Sequence, residues 1–138
     1  MIDTVFIDTS AFVAVYNRKD QYHSQAINIL RDLHKIPHLL LTSNYIVSET
    51  LTLLLAREGF NSSFRFGKRV FEEKPEFEVK NLYHQDEIDA WQIFKKYNRD
   101  KKWSFTDCTS YVLMKNMGIN KVFTFDLHDF RQMGFKIL

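Results

Sequence analysis

Short apolar runs alternate with longer amphipathic segments along this chain, and the two patterns predict different elements. The short runs, such as VFI at residues 5–7, are apolar throughout, which is typical of parallel strands buried on both faces. The longer segments repeat their apolar residues at helical spacing, for example at Ala26, Ile29, Leu30 and Leu33. Alternation of this kind is typical of an α/β fold.

The pattern predicts a central, mostly parallel sheet of about five strands flanked by helices. We expect strands at residues 4–9, 38–43, 77–82, 120–126 and 135–138, with the last at a sheet edge. We expect helices at residues 10–17, 21–35, 44–59, 61–74, 86–98 and 106–118, and a short helical turn at 127–134. Ser43 or Asn44 is a suitable N-cap for the third helix, and Gly59 is suited to end it.

Composition limits how this chain is organised. Its 138 residues are 45% hydrophobic and 15% aromatic, with 4 Gly and 2 Pro, so we expect a single domain over residues 1–138 without long linkers. The 19 Lys and Arg nearly balance the 17 Asp and Glu, and a net charge of +2 does not by itself indicate a nucleic-acid partner.

The cysteine content and the N-terminal sequence indicate in which cellular compartment the protein is expected. A lone Cys108 cannot form an internal disulfide, and MIDTVFIDTS lacks the basic start of a secretory signal. The apolar stretches are also shorter than the roughly 20 residues that cross a bilayer. We therefore expect a cytoplasmic protein without a membrane span.

Four acidic residues lie at or near predicted strand ends. Asp8 and Asp126 each follow a buried apolar run, Asp107 opens a helix, and Glu49 lies on a largely apolar helix face. In open parallel sheets, ligands bind beyond the carboxyl ends of the strands. Carboxylates gathered there repel one another, so they either take up protons or bind a divalent cation.

Each acid also has an ordinary structural explanation. Asp8 and Asp126 could cap the helices that follow them, Asp107 could complete a capping box with Ser104, and Glu49 could pair with a Lys or Arg. Four independent caps have no reason to lie at the same end of one sheet, so their joint placement favours a shared ligand. All-oxygen ligation suits Mg²⁺ or Mn²⁺ and points to phosphoryl chemistry.

The motifs around these acids resemble those of PIN-domain ribonucleases, and more narrowly the VapC-type toxins of toxin–antitoxin pairs. VFIDTSAFVAVYN, TSNYIVSETLTLL, WSFTDCTSYVLMKNMG and KVFTFDLHDF are similar, in order, to the family's conserved blocks. The resemblance implies a three-layer PIN-like fold and a catalytic quartet of Asp8, Glu49, Asp107 and Asp126. It also implies hydrolysis of single-stranded RNA with Mg²⁺ or Mn²⁺ bound by Asp8, Asp107 and Asp126, a small antitoxin partner and a homodimer.

Other residues are candidates for supporting roles. Ser10 is the leading candidate to orient a metal-binding carboxylate, with Thr9, Thr106 and Thr124 as weaker ones. Asp129 is either an additional ligand or a turn residue. Two basic clusters are suited to RNA or to solvent alone: Arg65, Lys68 and Arg69, and Lys95, Lys96, Arg99, Lys101 and Lys102 with the aromatic Tyr97 and Trp103.

Three alternatives remain at this point. The chain could be an RNA-processing PIN nuclease that is not a toxin. It could be a haloacid-dehalogenase-like phosphotransfer enzyme, although such a site wants a second Asp where Ser10 stands. It could also be a metal-free binding module in which Lys and Arg neutralise the acids.

Overall fold

The structure, a computed structural model, describes residues 2–138 as five strands and seven helices. The strands are β1 (Asp3–Ile7), β2 (His38–Ser43), β3 (Glu78–Lys80), β4 (Lys121–Phe123) and β5 (Lys136–Ile137). The helices are α1 (Thr9–Tyr16), α2 (His23–Lys35), α3 (Asn44–Arg57), α4 (Phe60–Phe71), α5 (His84–Tyr97), α6 (Phe105–Met117) and α7 (Leu127–Gln132). The predicted α/β class is confirmed. No helix within this described stretch is both long and apolar enough to span a membrane.

The five strands form one sheet in the order β3-β2-β1-β4-β5, and every pairing is parallel. β1 lies in the centre, where Phe6 pairs with Leu41 of β2 on one side and Val122 of β4 on the other. The chain builds the β2 side first and then crosses to the β4 side. The strand order therefore reverses beside β1, and this is the position where open α/β sheets bind ligands.

The core covers both faces of the sheet. Val5, Phe6 and Ile7 are consecutive residues of β1 that are all buried, and consecutive strand residues point to opposite faces. Helices therefore pack on both sides, as the uninterrupted apolar run predicts. Among the helices, α5 packs on α6, α3 packs on α4, and α1 contacts both α2 and α3.

Most helix boundaries agree with the prediction to within two residues, and local hydrogen bonds account for the differences. α2 begins at His23 rather than residue 21, because the Tyr22 N–H donates to Asp20 Oδ1 at 2.8 Å in a turn. α5 begins at His84 rather than residue 86, because Asp86 Oδ2 accepts the Tyr83 N–H at 2.8 Å. Gly59 ends α3 as predicted, and its φ of +99° lets α4 begin at once.

Candidate active site

An open pocket of about 460 Å³ lies beyond the carboxyl ends of the central strands. The pocket brings together all four acids that the sequence singles out, and it adds a fifth. The carboxylates that line it belong to Asp8, Glu49, Asp107, Asp126 and Asp129. They come from the end of β1, from α3, from α6 and from the segment after β4, which are distant in sequence.

Asp8 is the most deeply buried of the five, with 4% of its surface exposed. It stands at the N-cap position of α1 but makes no side-chain capping bond, so the cap interpretation is wrong. Its Oδ2 instead accepts hydrogen bonds from Thr124 Oγ1 at 2.8 Å and Ser10 Oγ at 3.1 Å. Burial, together with the nearby charge of Glu49, raises the pKa of Asp8 to about 6 against these hydrogen bonds.

Thr124 and Ser10 link Asp8 to the segment that carries Asp126. Thr124 Oγ1 accepts the Asp126 N–H at 3.0 Å and lies 3.0 Å from Ser10 Oγ. Ser10 Oγ also accepts the Phe125 N–H at 2.8 Å. Ser10 therefore lies beside a carboxylate, as the orienting role predicted for it requires. Thr124, only a weaker candidate in the sequence, makes as many contacts in this network as Ser10 does.

Asp107 lies in the first turn of α6, where its backbone N–H donates to the Ser104 cap at 3.0 Å. Capping therefore uses the Asp107 backbone and leaves its carboxylate facing the pocket. Burial raises the pKa of this carboxyl to about 8, and the charges of Asp8, Asp126 and Asp129 add to the effect.

Asp126 precedes α7 without making a side-chain capping bond, so the cap interpretation is wrong here as well. Burial and the adjacent charge of Asp129 raise its pKa. Asp129 follows three residues later on α7 and is half-buried. This spacing brings both carboxylates to the same side of the helix start.

The tightest carboxylate group consists of Asp107, Asp126 and Asp129, each offering an oxygen within 4.8 Å of the others. The resemblance to PIN-domain ribonucleases implied that Asp8, rather than Asp129, binds the metal with Asp107 and Asp126. Asp8 lines the same pocket, but its Oδ2 is already engaged by two hydroxyls. The donors are all oxygens, and mutual repulsion raises the pKa of Asp107, so the set fits a hard divalent cation.

Glu49 is half-buried and lines the pocket from α3, so it is less enclosed than its apolar neighbours predict. Two exposed cations, Arg57 and Lys102, line the same pocket. Arg57 was not singled out from the sequence. The available signal was its spacing, because Glu49, Leu53 and Arg57 follow one another at i+4 steps along α3.

The acids of the pocket share it with two cations but are not held in ion pairs. Across residues 2–138, no Lys, Arg or His forms an ion pair with any of the five carboxylates. Glu49 in particular has no such partner, contrary to the simplest structural explanation for it. The arrangement therefore disfavours a metal-free module held together by ion pairs.

The predicted basic clusters lie mostly away from the pocket. Arg69 pairs with Glu73 and Glu76 on the far part of α4. Trp103 is 3% exposed, and its Nε1 donates to Gln132 Oε1 at 3.0 Å, so its ring faces neither RNA nor solvent. Lys102 is the one member of either cluster among the pocket residues.

Cys108 is buried as expected, and burial raises the pKa of its thiol to about 12.

The family model for the PIN domain matches residues 5–136 of this chain. The chain belongs to the PIN domain family. It is 29% identical over 131 residues to the 23S rRNA-specific endonuclease VapC20 of Mycobacterium tuberculosis, with 95% of both chains covered. It is 30% identical over 125 residues to a VapC ribonuclease of Archaeoglobus fulgidus, covering 87% of this chain and 75% of the relative. The resemblance inferred from the motifs is confirmed.

Solved PIN structures agree with the sheet and helices described above. The crystal structure of M. tuberculosis VapC20, described as a sarcin–ricin loop cleaving toxin, superposes with a TM-score of 0.85 at 28% identity, with 95% of both chains covered. VapBC2 of Rickettsia felis, bound to a promoter DNA fragment, has a TM-score of 0.72 at 9% identity, covering 98% of this chain and 97% of that one. The second likeness shows the fold alone. Membership of the PIN family leaves the haloacid-dehalogenase alternative without support.

Proposed function

We propose that this chain is a metal-dependent endoribonuclease that hydrolyses phosphodiester bonds of single-stranded RNA as the toxin of a toxin–antitoxin pair. The observation that carries the proposal is the convergence of five carboxylates from four separate segments in one open pocket, where none of them forms an ion pair within the described residues 2–138. The names of the two curated relatives, an rRNA-specific endonuclease and a ribonuclease, support the same activity.

The proposed metal is Mg²⁺ or Mn²⁺, held by Asp107, Asp126 and Asp129. Their oxygens lie within 4.8 Å of one another, and a close group of carboxylate oxygens is the donor set that such a hard divalent cation prefers. Asp8 would complete the acidic shell beside it, oriented by Thr124 and Ser10. When bound, such an ion polarises a phosphate and promotes ionisation of an attacking water.

The remaining pocket residues have separate proposed tasks. Glu49 lies on the α3 side of the pocket, where its carboxylate would accept a proton from water as the water oxygen bonds to phosphorus; the ester P–O bond breaks and the leaving oxygen takes a proton from solvent. Arg57 and Lys102 would bind the phosphate oxygens, because they are the exposed cations that border the acids. The catalytic quartet proposed here remains Asp8, Glu49, Asp107 and Asp126.

Ribosomal RNA is the first substrate to test. The relative named for 23S rRNA is similar over 95% of both chains, and its crystal structure is described as that of a sarcin–ricin loop cleaving toxin. We propose the cytoplasm as the compartment of this activity, since a ribosomal RNA substrate would be met there. A hairpin that presents the sarcin–ricin loop is therefore compared with an unstructured RNA of the same length.

A small antitoxin and a second copy of the chain are the proposed protein partners. Phe60 and Phe64 stack on each other at 5.5 Å on α4 and are 67% and 46% exposed. Exposed aromatic pairs of this kind are suited to contact with an amphipathic helix. Induced expression is expected to stop growth, and co-expression of a neighbouring small antitoxin gene is expected to restore it; an RNA-processing enzyme would show neither effect.

Cleavage assays with purified protein test the activity directly. We expect Mg²⁺ or Mn²⁺ to support cleavage of RNA, a chelator to stop it, and Asp107→Asn to reduce it by at least about 100-fold, since a catalytic carboxylate is lost. Asp32→Asn is the matched control, because Asp32 is exposed and pairs only with Lys35 on α2. Cleavage that persists in chelator, or equally in Asp107→Asn, contradicts the proposal.

A further inference from the structure

A second groove opens directly off the carboxylate pocket. It has a volume of about 200 Å³ and is bordered by Tyr22 and Phe125. Ser10, Arg57 and Asp126 line both the groove and the carboxylate pocket, so the two are continuous. A chain molecule held at the acids would therefore extend into this groove without crossing a barrier.

The groove contains a preformed aromatic stack. The rings of Tyr22 and Phe125 lie 4.7 Å apart with an angle of 3° between their planes. Tyr22 is 39% exposed, although it is among the larger apolar side chains of the protein. A parallel pair of rings with one partner open to solvent can be extended by a further planar group.

The backbone of both residues is held by hydrogen bonds, and each ring packs against another ring. The Phe125 N–H donates to Ser10 Oγ at 2.8 Å, and its ring lies edge-on to Phe123 at 6.0 Å. The Tyr22 N–H donates to Asp20 Oδ1 at 2.8 Å, and its carbonyl accepts the Ala26 N–H at 2.8 Å. Little conformational entropy remains to be lost when a ligand stacks here.

The groups around the stack suit the parts of a nucleotide. Arg57 is the one cation that borders the groove within the described residues, and Asp20 and Asp126 border it with carboxylates. An aromatic platform, a cation and the proposed metal-binding carboxylate of Asp126 thus line one continuous channel. A nucleotide meets these three with its base, its phosphate and its scissile ester.

We propose that the Tyr22–Phe125 groove binds a nucleobase adjoining the scissile phosphate, stacked against Tyr22. This inference rests on the proposed ribonuclease activity and adds a substrate-binding subsite to it. Base stacking on an aromatic ring tolerates any base, because every base has a π-face. The subsite therefore strengthens binding and fixes the position of the strand, and its effect appears in KM more than in kcat.

The test combines variants of Tyr22 with substrates that lack one base. Tyr22→Leu keeps an apolar side chain and removes the ring, Tyr22→Phe keeps the ring, and Tyr83→Leu is a control at an aromatic residue that is 70% exposed elsewhere. Steady-state cleavage is measured on a short RNA and on versions with an abasic site at each nucleotide next to the cleaved bond. Melting temperature and Mn²⁺ affinity are measured for each variant.

We expect Tyr22→Leu to raise KM about tenfold on intact RNA, with Tyr22→Phe and Tyr83→Leu close to wild type. On the RNA that lacks the stacked base, wild type and Tyr22→Leu should show the same KM. If the wild type cleaves RNA and Tyr22→Leu has the same KM as the wild type, the subsite is overturned and the proposed function is not. The subsite is likewise overturned if Tyr22→Leu still has a higher KM than the wild type on every abasic RNA. If the wild type does not cleave RNA, both the proposed function and the subsite are overturned.

Discussion

At the scale of single residues, Thr124 shows how one buried hydroxyl organises the carboxylate pocket. It donates to Asp8 Oδ2 and accepts the Asp126 N–H, so it joins the end of β1 to the segment after β4. Side chains that orient metal-binding carboxylates commonly affect activity or metal affinity by 10- to 100-fold. Thr124 is a positioning residue in this sense, because it acts through the two acids.

We expect Thr124→Val, which keeps the size and removes the hydroxyl, to lower kcat and Mn²⁺ affinity by roughly 10- to 100-fold. Thr50→Val is the matched control, because Thr50 is equally buried and its hydroxyl donates only to the Ile46 carbonyl within α3. Calorimetric Mn²⁺ titration and single-turnover cleavage measure the two effects. Equal Mn²⁺ affinities for the two variants would contradict this role of Thr124.

The raised pKa values of the acids predict how stability depends on pH without metal. Folded Asp107 keeps its proton up to about pH 8, and burial also raises the pKa of Asp8 to about 6, whereas the unfolded chain releases both near pH 4. The folded protein then binds more protons, so its stability falls as pH rises from about 4 through 8.

In chelator, the melting temperature should therefore be lower at pH 8 than at pH 5, and Asp107→Asn should reduce this difference because the amide does not titrate. Thermal unfolding followed by circular dichroism at several pH values measures both slopes. Asp32→Asn again serves as the control and should keep the slope of wild type. The same slope in wild type and Asp107→Asn would show that Asp107 is not the group responsible.

At the scale of elements, the N-terminal caps of two helices have different roles in this fold. Ser43 caps α3 by accepting the Ile46 N–H at 3.2 Å, and Ser104 caps α6 by accepting the Asp107 N–H at 3.0 Å. The two caps are alike in geometry and differ in what they hold. Ser43 begins the helix of Glu49 from within the core, while Ser104 fixes the turn that carries a pocket acid.

Removing each cap shows whether that cap affects only the stability of the protein or also the geometry of the metal site. Ser43→Ala and Ser104→Ala should each lower the free energy of unfolding by about 1 kcal/mol, since each leaves a helix N–H without its acceptor. Only Ser104→Ala should also weaken Mn²⁺ binding, because it loosens the first turn of α6. Urea unfolding and calorimetry provide the two readouts. A Ser43→Ala variant that loses as much Mn²⁺ affinity would contradict the distinction.

The elements could be predicted from sequence because pattern and caps agree along most of the chain. The buried strands are apolar runs in the sequence, and the predicted start of α3 after Ser43 and its end before Gly59 agree with the structure. The site was harder to predict, because strand ends show where side chains gather but not which of them face inward. The sequence left Asp129 open as a ligand or a turn residue, ranked Thr124 below Ser10, and grouped Trp103 with a basic cluster suited to RNA; only tertiary contacts decide their surroundings.

At the scale of the whole molecule, the pocket depends on segments that are far apart in the chain. Asp8 follows the first strand, while Asp126 and Asp129 lie close to the last one, and they meet because β1 and β4 are neighbours in the sheet. A cation bound there would link the two ends of the chain through the centre of the fold. We therefore propose that residues 1–138 act as one domain, as their composition predicts.

One cooperative unfolding transition is expected on this view. Trp103 is buried against Tyr97 and Tyr111, and the other tryptophan, Trp91, lies on α5. Tryptophan fluorescence therefore reports the α5–α6 part of the protein, while far-ultraviolet circular dichroism reports all helices. The two probes should give the same midpoint in chelator. Mn²⁺ at 100 times its Kd should raise the free energy of unfolding by about 2.7 kcal/mol in both probes together, because it binds the folded state alone. Two separate midpoints, or a shift in one probe only, would contradict a single domain and would indicate that the site stabilises part of the sheet.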